Sequence, residues 1–299
     1  MGINVLSLFD GISCGQIALE KAEIDVDNYY ASEIDKYAIQ ITQSNYPKTI
    51  QLGDVRQIKI ENLPKIDLLM GGSPCQGFSL AGNKLNFEDD RSKLFFEFVR
   101  LLRTLKPKYF LLENVNMRKE WQDIITKYLG VKPVKINSGL VSAQNRIRLY
   151  WTNIPIKEIC SNNIFIKDIL EESVEDKFFI KGDVQYENPD FELNKNNICN
   201  PLKDKSNKGW HFEQNVYTIS SKTRSLKAGG GSGNIPKILI NKKIRKLTPL
   251  ECERLQTIPD NYSSSVSNSQ RYKVLGNGWT IKIIKQILSS VFIGEKKDE

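Results

Sequence analysis

Histidine is almost missing from this sequence: His211 is the only one in 299 residues. A Ser-His-Asp or Cys-His catalytic pair would have to rest on that one residue, in a polar stretch, and a His/Cys zinc cluster would need distant residues to converge. No metal site is expected. Cysteine is scarce as well: Cys14, Cys75, Cys160, Cys199 and Cys252 stand singly, odd in number and with no CxxC pair, so a disulfide framework is not expected. No apolar run approaches the roughly 20 residues that cross a bilayer. The start, MGINVLSLFDG, has neither the basic stretch nor the long apolar core of a secretory signal. A cytoplasmic protein with no membrane partner is expected. The GxGxxG fingerprint of dinucleotide binders is also absent, which argues against a nucleotide-dependent oxidoreductase.

What is present is positive charge, unevenly placed. The chain carries a net +8. Residues 195–246 hold twelve Lys and Arg against Asp204 and Glu213, or +10, which leaves the rest near −2. Such a run is either a solvated face or a surface that meets phosphates, where basic side chains gain affinity by releasing counterions.

The first 150 residues alternate short apolar runs with amphipathic stretches. Strands are expected at residues 3–9, 28–33, 65–71, 108–114, 132–137 and 146–152, and helices at 15–22, 35–45, 91–105 and 121–129. Alternation of this kind predicts an α/β fold with a doubly wound, mostly parallel sheet. After about residue 155 the pattern gives way to Asn, Lys, Ser and Gly, too long a stretch for a loop in a compact domain. Regularity returns at LTPLECERLQTIP, with Thr248 as N-cap, Pro249 in the first turn and Glu251 as the capping-box acid. A last apolar helix is expected at 281–292. These limits predict one domain from residues 1–155 plus 246–299 and a smaller one from 156–245.

Candidate chemistry falls at successive strand ends, the edge of a parallel sheet where ligands bind. FDGISCG after the first strand is either a tight helix-packing turn or a place where a cofactor approaches the backbone. Glu33 ends the second strand, where an acid can accept from ribose hydroxyls, and Asp54, in GDV, is placed to accept from an exocyclic amine. Together the three favour a nucleoside-bearing cofactor. Cys75 stands on a proline-braced turn in GGSPCQGFS, after a third strand, and Glu113 ends a fourth in LLENV. A thiolate beside a carboxyl suggests nucleophilic catalysis with proton transfer. With no histidine to activate the thiol, arginines must supply positive charge, and QNRIR offers Arg146 and Arg148 on one face of a strand. Surface solvation or a carboxylate pair is the plainer role for both.

Taken in order, these segments resemble the DNA (cytosine-5) methyltransferases of bacteria and phages. FDGISCG is similar to their cofactor loop, GGSPCQGFS to the Pro-Cys nucleophile motif, ENV to the catalytic Glu-Asn-Val and QNRIR to Gln-x-Arg-x-Arg. RKLTPLECERLQTIPDNY resembles the segment after the target-recognition region, and RYKVLGNGW the closing Gly-Asn motif. The resemblance implies a Rossmann-like catalytic domain and S-adenosylmethionine as cofactor. Its binding residues would be Phe9, Asp10, Gly11, Glu33, Ile34, Asp54, Val55, Pro74 and Asn277.

The same resemblance implies the chemistry. Cys75 would add to C6 of a cytosine flipped out of the duplex and activate C5 for methylation. Glu113 would hold N3 and the exocyclic amine and protonate the ring. Arg148 would contact O2, and Arg146 would lie near phosphate or the cysteine turn. Gln76, Ser79, Asn114, Gln144 and Arg224 are the candidate DNA contacts, Arg224 as a reader of guanine within the basic domain. The expected partner is double-stranded DNA, with a cognate restriction endonuclease acting separately where the enzyme serves a restriction-modification pair; phage self-protection or a solitary role stays open. The chain is expected to be a monomer. Two rival readings are an RNA cytosine-5 methyltransferase and a non-catalytic DNA-binding homologue.

Overall fold

The structure, a computed structural model, describes residues 2–73, 90–180, 198–199, 215–229, 234–241 and 243–292. In chain order the elements are β1 (Ile3–Leu8), α1 (Cys14–Lys21), β2 (Val26–Ser32), α2 (Lys36–Asn45), β3 (Ile50–Gln51), β4 (Leu68–Gly71), α3 (Asp90–Leu105), β5 (Tyr109–Val115), α4 (Lys119–Leu129), β6 (Val134–Asn137), β7 (Gln144–Asn145) and β8 (Ile147–Thr152). They are followed by β9 (Ile198–Cys199), β10 (Val216–Thr218), β11 (Thr223–Arg224), β12 (Lys237–Ile240), β13 (Lys243–Lys246), α5 (Pro249–Leu255), α6 (Asn268–Asn277) and α7 (Ile281–Phe292). The chain packs as two compact units, one of residues 1–137, 147–159 and 281–299, the other of residues 138–146 and 160–280.

The first unit is built on a seven-stranded sheet in the order β3-β2-β1-β4-β5-β8-β6. The first five strands run parallel, and β8 lies antiparallel to both β5 and β6. The α/β class expected from the alternation is the class observed. Strand periodicity divides the side chains between two faces. Leu6 and Leu8 of β1, Phe110 and Leu112 of β5, and Leu149 and Trp151 of β8 join Phe95, Phe98 and Leu101 of α3 and Ile125 and Leu129 of α4 in one core. Met70 of β4 alternates to the other face. There it lies so close to Gly15 of α1 that a Cβ on Gly15 would stand 2.6 Å from the Met70 methyl. α7 packs against α1. Each fully buried Leu or Phe of this core contributes roughly 1.5–3 kcal/mol.

Parallel pairing brings the strand ends to one edge. Leu8 pairs with both Ser32 and Gly71, and Gly71 with Leu112, so four strands share one row across the sheet. The residues that follow that row form the edge: 9–13 after β1, Glu33 after β2, Gly72 and Ser73 after β4, and Glu113 in β5. The strand order reverses direction between β1 and β4, which makes this edge the switch point where open α/β sheets bind ligands.

In the second unit β13, β12, β10 and β9 form a four-stranded sheet in that order, and β7 pairs in parallel with β11. The expected capping box starts α5: the Thr248 Oγ1 accepts from the Glu251 N–H at 3.1 Å, and the Glu251 carboxylate accepts from the Thr248 N–H at 2.9 Å. The same carboxylate receives both terminal nitrogens of Arg245, at 2.6 and 2.7 Å, in a fully buried pair. One local expectation is corrected. The strand placed at 146–152 begins at Ile147, leaving Arg146 between β7 and β8. Gly276 and Asn277 are the last residues of α6, and Gly276 lets that helix approach the backbone of Lys227 and Ala228.

Candidate active site

The turn after β1 is unusually bent. Phe9, Gly11 and Ser13 all have positive φ, 54°, 60° and 54°, a region that costs non-glycine residues energy and is kept only where neighbours impose it. The neighbours here are acidic. Asp10 is buried, accepts from the Tyr29 hydroxyl at 2.7 Å and from the Ser13 hydroxyl, and its N–H donates to Ser32 O at 3.1 Å. Burial pushes its carboxyl up to about 6, with Ser13, Ser7 and Tyr29 pulling the other way and the charge of Glu33 adding to the rise. Glu33 accepts the Gly11 N–H at 2.8 Å with one oxygen and the Ile34 and Asp35 N–H groups at 2.7 and 2.8 Å with the other. The acid at the end of β2 is thus tied directly to the turn after β1.

This edge fits a nucleoside-bearing cofactor. A Cβ built on Gly11 would meet nothing within 4 Å, so the turn opens on free space. Ile34, next to Glu33, is 74% exposed, a large apolar side chain at the surface of this edge. Phe9 packs on the core and Val55 lies within it. Asp54 accepts from the Arg56 N–H at 3.0 Å and from its guanidinium, and that guanidinium holds its carboxyl below the usual carboxylate range. The Asp54 carboxylate therefore caps the short turn Val55–Gln57.

Glu113 and Arg148 form the other half of the edge. The strands β5 and β8 pair antiparallel with Val115 opposite Arg148, so Arg148 stands diagonally from Glu113. Its Nε lies 2.9 Å from Glu113 Oε1, with both side chains largely buried. A carboxylate and a guanidinium so placed can hold a base edge between an acceptor and a donor. Asn114 turns to the opposite side of β5. Its Nδ2 donates to Ser73 Oγ at 3.1 Å and Ser73 O at 3.4 Å, and its Oδ1 accepts from the Val115 N–H at 2.8 Å. It thus fastens the chain two residues before Cys75. Pro74, Cys75, Gln76 and Ser79 lie outside the described residues.

The remaining candidates belong to the second unit. Arg146, 3% exposed, donates to Ser225 Oγ at 3.0 Å, Leu226 O at 3.2 Å, Gly276 O at 3.2 Å and Gly278 O at 2.9 Å. Gln144 is fully buried; its amide donates to Leu255 O and Gln256 Oε1, both at 2.8 Å, and accepts from the Leu226 N–H at 3.2 Å. Arg224 donates to Asn234 O at 2.6 Å. Asn277 is exposed between the buried Gly276 and Gly278. The expectation that Arg146 and Arg148 share one strand face is corrected: Arg148 pairs with Glu113 in the first unit, and Arg146 is the hub of a carbonyl cluster in the second. Gln256 was missed by sequence reasoning. It joins Gln144, Thr280, Leu275 and Gly278, and no local signal marks it. Ser73 and Tyr29 were missed for the same reason. Among the described residues, no group of His, Cys, Asp and Glu could hold a metal ion, and no helix is long and apolar enough to cross a membrane.

The chain is similar to known proteins along nearly its whole length. The Type II methyltransferase M1.ScrFI of Lactococcus lactis subsp. cremoris is 32% identical over 95% of this chain and 76% of its own length. The Type II methyltransferase M.NlaX of Neisseria lactamica is 31% identical over 95% and 94%. The crystal structure of the S. pombe Dnmt2 methyltransferase superposes over 99% of both chains with a TM-score of 0.74 at 18% identity, a likeness of fold alone. The model of the C-5 cytosine-specific DNA methylases matches residues 3–127 and 136–292, and the chain belongs to that family.

Proposed function

We propose that the protein methylates C5 of a cytosine in double-stranded DNA, as the modifying partner of a restriction endonuclease that acts separately, and that it works as a monomer. The observation that carries the reading is the Glu113–Arg148 pair, one residue past the row of strand ends and on the edge that holds the bent turn and Glu33. Phe9, Asp10, Gly11, Glu33, Ile34, Asp54, Val55 and Pro74 would hold S-adenosylmethionine. When bound, that cofactor supplies an electrophilic methyl group. Glu33 would take the ribose hydroxyls, and Ile34 would cover an apolar ring face.

The rest falls to the chain's own side chains. The Cys75 thiolate adds to C6 of the cytosine, which makes C5 nucleophilic. Glu113 holds N3 and the exocyclic amine and delivers the proton that the ring takes up on addition. Arg148, already paired with Glu113, contacts O2 and keeps that carboxyl oriented. Loss of the C5 proton and elimination of Cys75 close the cycle. A base inside a duplex is out of reach of a thiolate above the ring, so the target leaves the stack, at a cost of a few kcal/mol. Residues 156–245 would supply target recognition through their positive charge.

The test is to incubate the protein and S-adenosylmethionine with plasmid DNA and, in parallel, with RNA, and to map methylated cytosines at single-base resolution. Methylation at one short DNA sequence, lost in Cys75→Ser with DNA binding kept, is the expected result. Methylation of RNA alone, or none with either, would remove the reading.

A further inference from the structure

The second unit contains a cavity of about 240 Å³ that the chemistry above does not use. One wall carries Leu226, Lys227, Ile235 and Pro236; the other is α6, through Tyr272 and Lys273. Arg146 holds the two walls together, since it donates to Leu226 O on one side and to Gly276 O on the other. At Gly276 the walls touch: a Cβ there would lie 2.3 Å from the carbonyl carbon of Lys227. The Tyr272 hydroxyl donates to Leu247 O at 2.7 Å, which fixes its ring as part of the lining. A cavity tied in this way is formed before any ligand arrives, and little ordering is left to oppose binding.

Its chemistry is two-sided. Leu226, Ile235 and Pro236 are buried apolar residues, whereas Lys227 and Lys273 are exposed. A free inorganic anion has no use for the apolar lining, and a purely apolar ligand has none for two ammonium groups. A sugar joined to a phosphate uses both. The charge along the chain agrees, because Lys227 lies in the stretch of residues 195–246 that carries +10, and Lys273 of α6 lines the same cavity. We propose that this cavity seats one nucleotide of the DNA strand away from the methylated cytosine, with the deoxyribose on the apolar lining and the phosphate met by Lys227 and Lys273. Arg146 is then a positioning residue for the cavity. The inference rests on the DNA-methyltransferase reading and adds a contact to it.

The experiment measures binding of the full chain to a short fluorescent duplex over a range of salt concentrations, for wild type, Lys227→Ala/Lys273→Ala and the exposed Lys127→Ala on α4. Loss of one seated phosphate should flatten the plot of log K against log salt by about 0.9, with Lys127→Ala superposing on wild type. Cofactor affinity, measured by calorimetry, should be equal in all three, which shows the fold to be intact. If the double variant keeps the wild-type slope while wild type methylates DNA, the cavity assignment falls and the methyltransferase reading stands. If wild type methylates RNA and not DNA, the reading itself falls and takes the DNA assignment with it.

Discussion

Glu113 and Arg148 meet across two antiparallel strands, with Arg148 Nε 2.9 Å from Glu113 Oε1 and little of either side chain exposed. The pair leaves an acid fixed in direction at the edge where the other candidate groups stand. Removing one partner of a buried pair is costly because the other charge stays behind. A neutral isostere is a milder probe.

Glu113→Gln keeps an oxygen to accept from Arg148 and removes the proton that general acid catalysis needs. Turnover should fall by about 10² to 10⁴, while the urea midpoint falls only modestly, because the amide oxygen still accepts from Arg148 although the guanidinium loses its counter-charge. Single-turnover methyl transfer and an unfolding curve check both halves. A variant with near-normal turnover would take Glu113 out of the chemistry.

Arg146, two positions before Arg148, should behave in the opposite way. Its guanidinium serves three carbonyls and the Ser225 hydroxyl. Gly278 O keeps the Gln256 amide and Leu226 O the Ser225 hydroxyl, and a buried acceptor left without a partner costs roughly 1–3 kcal/mol, so Arg146→Ala should lose about 1–3 kcal/mol. Arg146→Lys should recover little, because one ammonium cannot span the fork. Denaturant unfolding is the measurement; stability equal to wild type would show that the carbonyl cluster does not depend on Arg146.

These two arginines also mark where sequence reading stops. The parallel sheet, the capping box at Thr248 and Glu251 and the acids at the strand ends are local patterns, written in alternation, punctuation and spacing within a few residues. The partners of Arg146 are 79 to 132 residues away, and Gln144 meets Leu255 and Gln256 across more than 110. Spacing within QNRIR holds no trace of them, so a two-residue interval reads as one strand face when the chain in fact changes unit between the arginines. Gly276 shows the same limit. Glycine next to Asn-Gly signals a break, yet here it is the residue that lets a helix touch another segment.

Gly276→Ala tests that contact. The added methyl would meet the backbone of Lys227 and Ala228 at 2.3 and 2.4 Å, and backbone cannot swing aside as a side chain does. Overpacking of this kind typically costs 1–3 kcal/mol, even though alanine is the better helix former by about 1 kcal/mol. A net loss in Tm is expected by calorimetry. A rise in Tm would mean that propensity wins and that the two segments part easily.

Asp10 gives a prediction in pH. Its carboxyl, raised to about 6 by burial, holds a proton in the folded chain that an unfolded carboxylate, near 3.9, has already released. Folding therefore takes up a proton between these values. The favourable contribution is complete below about pH 4 and lost as pH rises through 6, a change of about 3 kcal/mol for this group alone. Asp10→Asn keeps an acceptor for Tyr29 or Ser13 and cannot ionise. Its stability relative to wild type should climb between pH 4 and 7.5 by an amount on the order of 3 kcal/mol, since only wild type must then bury a charge. Urea titrations of both proteins across that range measure the difference, in which all other titrating groups cancel. A difference that stays flat with pH would mean that Asp10 ionises in the folded chain as it does in water, and that Tyr29 and Ser13 offset its burial in full.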